Sequence, residues 1–516
     1  MRWRMGTASE SALTTLVVVL AAAVPLSIVA LGPTETTTTV RSGTDAVGTE
    51  EETSGGTVIA GLPGASEGAA EDGEGPGEHR GGGEEPAAGT PSSTAPTLPG
   101  TAPRPGLSCS QDANGGVTDA GVTATSIKLA ATVVDDGPGA SFLAPVRTGM
   151  IAVTNKANRA GGICGRQIEL ILRNDSWEAQ RGRDFIQRFV EQEKVFALAV
   201  VPSSEGLLAA DSYIAEKQIP VVGTDGMLIH QYQNPWIWPV ATSTISTMHI
   251  MAKNAHDRGA EHFGIVFDAK YHFGVEGAFA FNEAVRRLTG DEIPGFDPSL
   301  KTCEERFCGI QPAKSSYTPE NTRFNQSCNS GGNQCDFVAI LLEPNTAETW
   351  FSNDRRIADP RYGFGGAQPL FNRGFAEGCR TACDGMWVWT GYAPPIEQFA
   401  GTAAAQTYVD DVRGESSSAD VTNQFLEGGY VGMSLMIEAL RQVGPDLTRE
   451  RLRTVLDGMT FDSGLTQPLW WEPGNHFANI SAHAFSIQYG QSFNGWRQQT
   501  PFLQDPWVGQ DIPPAS

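Results

Sequence analysis

The chain has 516 residues, with 59 acidic against 36 basic side chains and a formal net charge of −23. That balance, with no basic stripe and no interleaving of aromatic and basic residues, argues against nucleic acid as a partner. The length admits two or three domains, but the first hundred residues do not have the composition of a folded core.

Arg2 and Arg4 precede an uncharged run from Ser11 to Gly32, the pattern of an export signal with a positive end and an apolar core. A signal core spans roughly 7 to 15 residues and a membrane span about 20. The run is at the long end, and it lacks a convincing small-x-small cleavage site. Residues 1–32 are therefore read as an uncleaved membrane anchor ahead of a cleaved signal peptide, and the chain as extracytoplasmic, tethered to the cell membrane or secreted.

Residues 33–106 shift to Thr, Gly, Glu, Pro, Ser and Ala, as in TETTTT and EGAAEDGEGPGEHRGGGEEP. Such a segment cannot bury enough apolar surface to offset its ordering entropy, so a disordered acidic stalk is expected. Its twelve acids against Arg41, Arg80 and Arg104 supply −9 of the −23, which makes the acidity partly a property of the tether.

All eight cysteines follow the stalk: Cys109, Cys164, Cys303, Cys308, Cys328, Cys335, Cys379 and Cys383. An even number outside the cytoplasm suggests disulfides. Three pairs are close in sequence, which predicts Cys303 with Cys308, Cys328 with Cys335 and Cys379 with Cys383, leaving Cys109 for Cys164. No histidine stands at ligand spacing beside them, so no metal is expected; no cofactor is expected either.

From Gly121 onward, strand-length apolar runs alternate with helical patterns. IKLAATVV reads as a strand; Val146, Met150, Val153 and Ala157 repeat at helical spacing; RQIELILRND alternates as a strand. RDFIQRFVEQE places Phe185, Ile186, Phe189 and Val190 on one helical face, and VFALAVV is a continuous run suited to a strand buried on both sides. The series continues through GLLAADSYIAEKQ, IPVVG, TMHIMAKNAHDRG, HFGIVFDA and VEGAFAFNEAVRRL to FVAILL, a helix after Asn345, MWVWTGY, GGYVGMSLMIEALRQVG and LTRERLRTVLDG. Repeated alternation means parallel sheets covered by helices.

One core is too small for this length, because chains split into domains above roughly 250 to 300 residues. The expected fold is α/β, with two doubly wound parallel-sheet lobes joined by a three-strand hinge. Residues 107–242 and about 392–470 form one lobe, about 243–391 and 471–500 the other, and 501–516 a tail. The crossings fall at Pro235 to Ser246, Tyr392 to Glu397 and near Pro468 to Pro473. In open parallel sheets ligands collect at the carboxyl ends of strands, where helix N-termini present free N–H groups. The loops to inspect are Asp135 to Phe142, Pro202 to Glu205, Gly223 to Met227, Ala269 to Gly274 and Glu343 to Asn345.

DGPGASF, an amphipathic helix and NRAGGICGRQIEL together resemble the opening SGP-x-A-x-Y and N-x-x-GGI-x-GR of the type I periplasmic binding proteins, in the branch of leucine/isoleucine/valine and amide-binding receptors. VPSSEGLLAA, IPVVGTDGM and YHFGVEGA resemble the next three landmarks in order, over about Gly121 to Gln498. The resemblance implies an extracytoplasmic receptor that closes a two-lobed cleft on a small polar solute, amino-acid-like or amide-like, for the membrane permease of an ABC importer. By position it implies a polar grip from Ser203 or Ser204 and from the Asp225 to Met227 backbone, aromatic walls from Phe142 and Phe273, and an ammonium partner in Glu343. The ligand-binding set is then Asp136, Phe142, Ser203, Ser204, Glu205, Asp225, Met227, Tyr271, Phe273 and Glu343. Asp136 stands where serine is common in the family, and Asp225 with Met227 where Ala-x-Thr is common. Carboxylates there would repel an α-carboxylate in a closed cleft, which favours a neutral amide-like or cationic solute.

Plainer readings compete. Asp135, Asp136, Asp225, Ser203 and Ser204 also suit helix caps, and Phe142 and Phe273 suit a core. A membrane-tethered sensor or surface-interaction domain could use the same fold. An extracytoplasmic enzyme is the remoter alternative: there is no G-x-S-x-G, H-E-x-x-H or P-loop, and His249, His256 and His262 are not at ligand spacing.

Overall fold

A computed structural model describes residues 37–40 and 111–513, apart from 301–302, 330–333 and 354–359. The expected signal or anchor, most of the stalk and Cys109 lie outside the described residues. Among the described residues no helix is long and apolar enough to cross a membrane. Within the expected stalk, the β-branched run Thr37–Val40 is a strand, β1, that pairs antiparallel with an edge of the first sheet.

The first sheet continues with β2 (Ser126–Val133), β3 (Gln167–Asn174), β4 (Ala197–Ala199), β5 (Val221–Thr224) and β6 (Ile237–Pro239). The second holds β7 (Phe263–Asp268), β8 (Phe307–Ile310), β9 (Phe337–Leu341), β10 (Phe364–Gly366) and β11 (Trp387–Thr390). A two-stranded ribbon of β12 (Thr460–Phe461) and β13 (Leu469–Trp470) precedes β14 (Ser481–Tyr489), β15 (Phe493–Gln498) and β16 (Leu503–Gln504), which complete the second sheet. The helices are α1 (Ala140–Leu143), α2 (Val146–Arg159), α3 (Ala179–Glu191), α4 (Ser204–Lys217), α5 (His230–Gln233), α6 (Thr244–Asp257), α7 (His272–Thr289), α8 (Thr318–Cys328), α9 (Pro344–Asn353), α10 (Arg373–Cys379), α11 (Ala403–Glu415), α12 (Gln424–Val443) and α13 (Arg449–Leu456).

The sheet orders are β1-β3-β2-β4-β5-β6 and β15-β14-β11-β10-β9-β7-β8. In each, the five strands of the β-α repeat are parallel and the strands added to them antiparallel. Both follow one doubly wound pattern, whose switch point lies beside the first strand of each repeat, at the carboxyl edge. The expected α/β fold of two parallel-sheet lobes is present.

Helix faces read from the sequence are largely the buried ones. Val146, Met150, Val153 and Ala157 of α2 are core, as are Phe185, Ile186 and Phe189 of α3, while Val190 is only partly covered. Helix α12 is buried on nearly all sides, and glycine explains how it fits. A Cβ on Gly149 would fall well inside van der Waals contact distance of Leu426 O, and one on Gly429 well inside that of Val146 O. Backbone therefore meets backbone where α2 crosses α12, which sets the first turn of α12 against the carboxyl edge of the first sheet.

In the AGGICGR turn Gly162 has φ +73° and its pro-Cβ space is taken by Arg166 O, a conformation that favours glycine. Arg166 itself is buried and donates to the carbonyls of Thr123 (2.8 Å), Gly116 (3.0 Å), Pro445 (3.1 Å) and Asn114. It is a staple for the chain entering the fold. The bridges Cys303–Cys308, Cys328–Cys335 and Cys379–Cys383 are formed as expected, and Cys164 is disulfide-bonded too.

The chain passes between the sheets after β6, after β11 and before β14, close to the expected crossings. Asn479 binds the three together. Its side-chain amide donates to Val240 O (3.1 Å) in the first crossing and to Gly391 O (3.3 Å) in the second, from its own place in the third. Thr242 donates to Ser481 O (2.5 Å) and Ala393 N to Leu465 O (2.8 Å). The residues expected as a C-terminal tail are tied down: β16 pairs with β14, and Asp505 and Asp511 hold buried His249 at 3.0 and 3.1 Å.

Candidate functional site

A cavity lies where the carboxyl edges of the two sheets meet beside the crossings. The space between its atoms is ≈ 450 Å³, with the solvent at its mouth included. The contacts beside it, described below, hold the lobes together. Pro202 and the Gly223–Met227 loop supply one side after β4 and β5, Gln368 the other after β10. Ala241, Thr242, Gly391 and Tyr392 enter from the crossings, and Val146, Gln424, Phe425 and Gly428 from the first turns of α2 and α12.

Three polar side chains of this lining carry a buried acceptor oxygen without a hydrogen-bond partner: Asp225 Oδ2, Gln368 Oε1 and Gln424 Oε1. Asp225 Oδ1 is satisfied, accepting from Gln231 Nε2 (3.0 Å) and Met227 N (3.1 Å). Burial pushes the carboxyl up to about 7, against the pull of those two donors. Gln368 Nε2 donates to Thr242 O (2.8 Å) and Thr247 Oγ1 (2.9 Å), and Gln424 Nε2 donates to Gln368 O. Both amide nitrogens face carbonyls, so the orientation of each amide is fixed: a flip would set oxygen against oxygen. Unpaired buried acceptors cost free energy until a donor meets them.

Beside the cavity the lobes are fastened by a seam. Trp177, from the loop after β3, stacks on Tyr271 before α7 with centroids 4.1 Å apart and 26° between planes. Trp177 Nε1 donates to Ser204 Oγ (3.2 Å). Ser176 and Trp177 have φ +57° and +63°, a left-handed pair held in place by the stack and by Asp175 Oδ1, which accepts from Trp177 N (2.9 Å). Glu205 accepts from His272 N (2.9 Å) and meets its Nδ1 at 2.7 Å, while Glu276 accepts from Ile229 N (2.9 Å). Farther round, Asn372 Nδ2 donates to Ser141 O (2.8 Å). The hydrogen bond that His272 donates to Glu205 raises the His272 pKa, and burial pushes Glu276 up to about 7.

Of the residues singled out from sequence, Asp225 and Met227 line the cavity. Ser203, Ser204, Glu205, Tyr271 and Phe273 are gathered in the seam: the Ser203 hydroxyl meets buried Asp175, whose carboxyl burial raises to about 6, and Phe273 lies 6.1 Å from the Trp177 ring. Phe142 is fully buried behind the wall, edge-on to Trp177 and to Phe425. The remaining two are in neither the cavity nor the seam. Asp136 is exposed, its carboxyl held below the usual range by Ser176 and Asn174. Glu343 caps α9, accepting from Asn345 N (2.9 Å), Thr346 N (2.6 Å) and the Thr346 hydroxyl, so its oxygens are spent locally.

Gln368, Gln424 and Thr242 escaped the sequence reading. Gln368 follows a strand of only three residues, too short to show periodicity. Gln424 did carry a signal, standing after Asn423, whose side chain caps α12 by accepting from Phe425 N (2.9 Å) and Leu426 N (3.1 Å).

A family model for the periplasmic binding proteins matches residues 126–302 and 370–490, more than half of the chain. The chain therefore belongs to the periplasmic binding protein family, with the type I fold of two parallel-sheet lobes. No curated protein sequence matches it significantly. Among solved structures it is similar to a possible leucine/isoleucine/valine-binding protein from Rhodopirellula baltica SH 1 at 15% identity and TM-score 0.61, over 74% of this chain and 98% of that one. A fatty acid ABC transporter substrate-binding protein from Thermomonospora curvata matches at 17% identity and TM-score 0.62, over 79% and 99%. A branched-chain amino acid transporter substrate-binding protein from Streptococcus pneumoniae, in complex with isoleucine, matches at 14% and 0.58, over 73% and 100%. Family and neighbours are binding proteins, extracytoplasmic by class, and solute binding is the role they share.

Proposed function

We propose that this protein is an extracytoplasmic receptor that closes on one small polar solute, amino-acid-like or amide-like, and presents it to the permease of an ABC importer. The observation that carries the reading is an interlobe cavity whose lining holds three buried acceptors that nothing within the protein satisfies. Other buried atoms such as Thr132 Oγ1 and Trp350 Nε1 are unpaired too, but these three line a cavity, where a solute's donors recover the ~1–3 kcal/mol that each costs when left alone. The neighbours named for leucine/isoleucine/valine, fatty acid and isoleucine support a small organic solute as the cargo. The Ser11 to Gly32 segment extends the proposal to tethering at the membrane.

In this mechanism the solute first meets the lobe that bears the Gly223–Met227 loop, and the second lobe then swings about the three crossings to bring Gln368 over it. The Trp177–Tyr271 stack and the Glu205–His272 pair form last and hold the closed state. A thermal-shift screen over amino acids, amides, amines and small sugars tests this. One class of solute stabilises the protein by about 2.7 kcal/mol at a hundredfold excess over its Kd and is recovered unchanged. Stabilisation by none, or conversion of the solute, defeats the proposal.

A further inference from the structure

The polar lining of the cavity is rich in acceptors. Among the described residues that line it there is no Lys, Arg or His, and the amide nitrogens of Gln368 and Gln424 are already spent on protein carbonyls. What remains for a ligand is a set of three acceptor oxygens, one of them on a carboxyl group, beside the hydroxyl of Tyr392. A carboxylate ligand would meet oxygens facing oxygens, and in a closed cleft that contact is strongly unfavourable. A neutral primary amide offers two donors for three acceptors and brings an acceptor of its own, for which the lining holds one side-chain donor, the Tyr392 hydroxyl. A protonated primary amine has three donors and no acceptor, which matches the set in number and in sign. The rings of Tyr392 and Phe425 also line the cavity, and aromatic faces attract a cation.

We infer that the cargo is a protonated primary amine whose ammonium group donates to Asp225 Oδ2, Gln368 Oε1 and Gln424 Oε1, with Asp225 as its counter-ion. The inference rests on the receptor reading above but replaces its amino-acid-like or amide-like solute with an amine. It also couples binding to protons. The ionisable groups facing Asp225 are Tyr232 and Tyr392, both pushed well above the ordinary tyrosine range by burial and by Asp225 itself, with buried Glu276 and Glu427 acting on the same tyrosines. No cation of the lining supports an ionised Asp225. The carboxyl, raised to about 7 by burial, is therefore largely protonated in mildly acidic solution. It must release that proton to solvent when the ammonium arrives.

The test uses the full chain and matched sets of amine, amide and acid on the same carbon skeletons: butylamine, butanamide and butanoate, and benzylamine, benzamide and benzoate. Kd is measured by calorimetry at pH 6 and pH 8, in buffers of different ionisation enthalpy. An amine binds at least tenfold tighter than its amide and acid at pH 8. It binds about tenfold more weakly at pH 6, where it releases a proton. Asp225→Asn, which keeps the size and the acceptor toward Gln231, removes the pH dependence and at least tenfold of the affinity. Gln424→Leu weakens binding and leaves the pH dependence in place. Preferential binding of an amide or acid, or amine binding that ignores pH, overturns the amine assignment and leaves the receptor standing. Binding of no member of the sets, and of no solute in the wider screen, overturns both.

Discussion

The seam around Trp177 and the cavity around Asp225 lie side by side where the lobes meet, and they differ in the polar groups that join one lobe to the other, although Asp175 Oδ2 and Ser203 Oγ on the seam's inner side make no hydrogen bond either. In the seam Trp177 has Ser204, Glu205 has His272 and Glu276 has Ile229 N. In the cavity Asp225, Gln368 and Gln424 each keep one oxygen unpaired. Satisfied groups across an interface hold a closed state; unsatisfied ones leave part of the closing energy for a guest to supply. Substitutions in the two regions then have effects of opposite sign on the free protein.

The largest effect belongs to the seam. Trp177→Ala removes a buried aromatic and its stack, with an expected loss of about 3–5 kcal/mol in urea unfolding. Scattering then shows a more extended particle than wild type. An unchanged radius of gyration would mean that closure does not depend on the stack. Next comes the hinge that both regions share. Asn479→Ala leaves Val240 O and Gly391 O unpaired and lowers stability by about 2–3 kcal/mol, read from the urea midpoint.

The cavity responds in the other direction. Asp225 has a folded pKa above its ordinary value, about 7 against 3.8, so the folded form holds its proton longer than the unfolded chain. Its burden on stability is absent below pH 4, grows as pH rises from about 4 to 7, and is complete above. Asp225→Asn therefore raises stability at pH 8, by about 2 kcal/mol once the cost of the buried amide is set against the roughly 4 kcal/mol that the rise from 3.8 to about 7 represents, and is neutral at pH 4, as followed by thermal unfolding at both. Destabilisation at pH 8 would break the contrast between the two regions.

The smallest effect sharpens it. Glu205 raises the His272 pKa, so the pair contributes fully below pH about 6.5 and fades as pH rises through the higher folded value. The His272 side chain is 47% exposed, and Glu205→Gln costs only about 0.5 kcal/mol near pH 6. The difference in Tm from wild type narrows toward pH 8.

Much of the fold was legible in the sequence, because its signals are local. The 3.6-residue spacing of Val146, Met150, Val153 and Ala157 gave α2. The continuous run around Ala197–Ala199 gave a strand buried on both faces, and short cysteine spacings gave three bridges. Short strands such as β8 and β10, with four and three residues, carry too little pattern to be seen. The antiparallel strands β14 to β16 were missed because the reading followed the β-α alternation and stopped where it ended.

For the site, sequence alone determined where to look: the loops after β4 and β5 are set by chain order, and both Asp225 and Met227 fall in the cavity. Tertiary structure decided which polar atoms are free. Glu343 looks like a ligand in a loop and becomes a cap once α9 offers it two N–H groups. Gln368 and Gln424 look like nothing until the lobes close and Gln424 Nε2 reaches Gln368 O. The reason is that hydrogen-bond satisfaction is a competition among all groups brought within reach, and residues far apart in the chain meet only when it has folded.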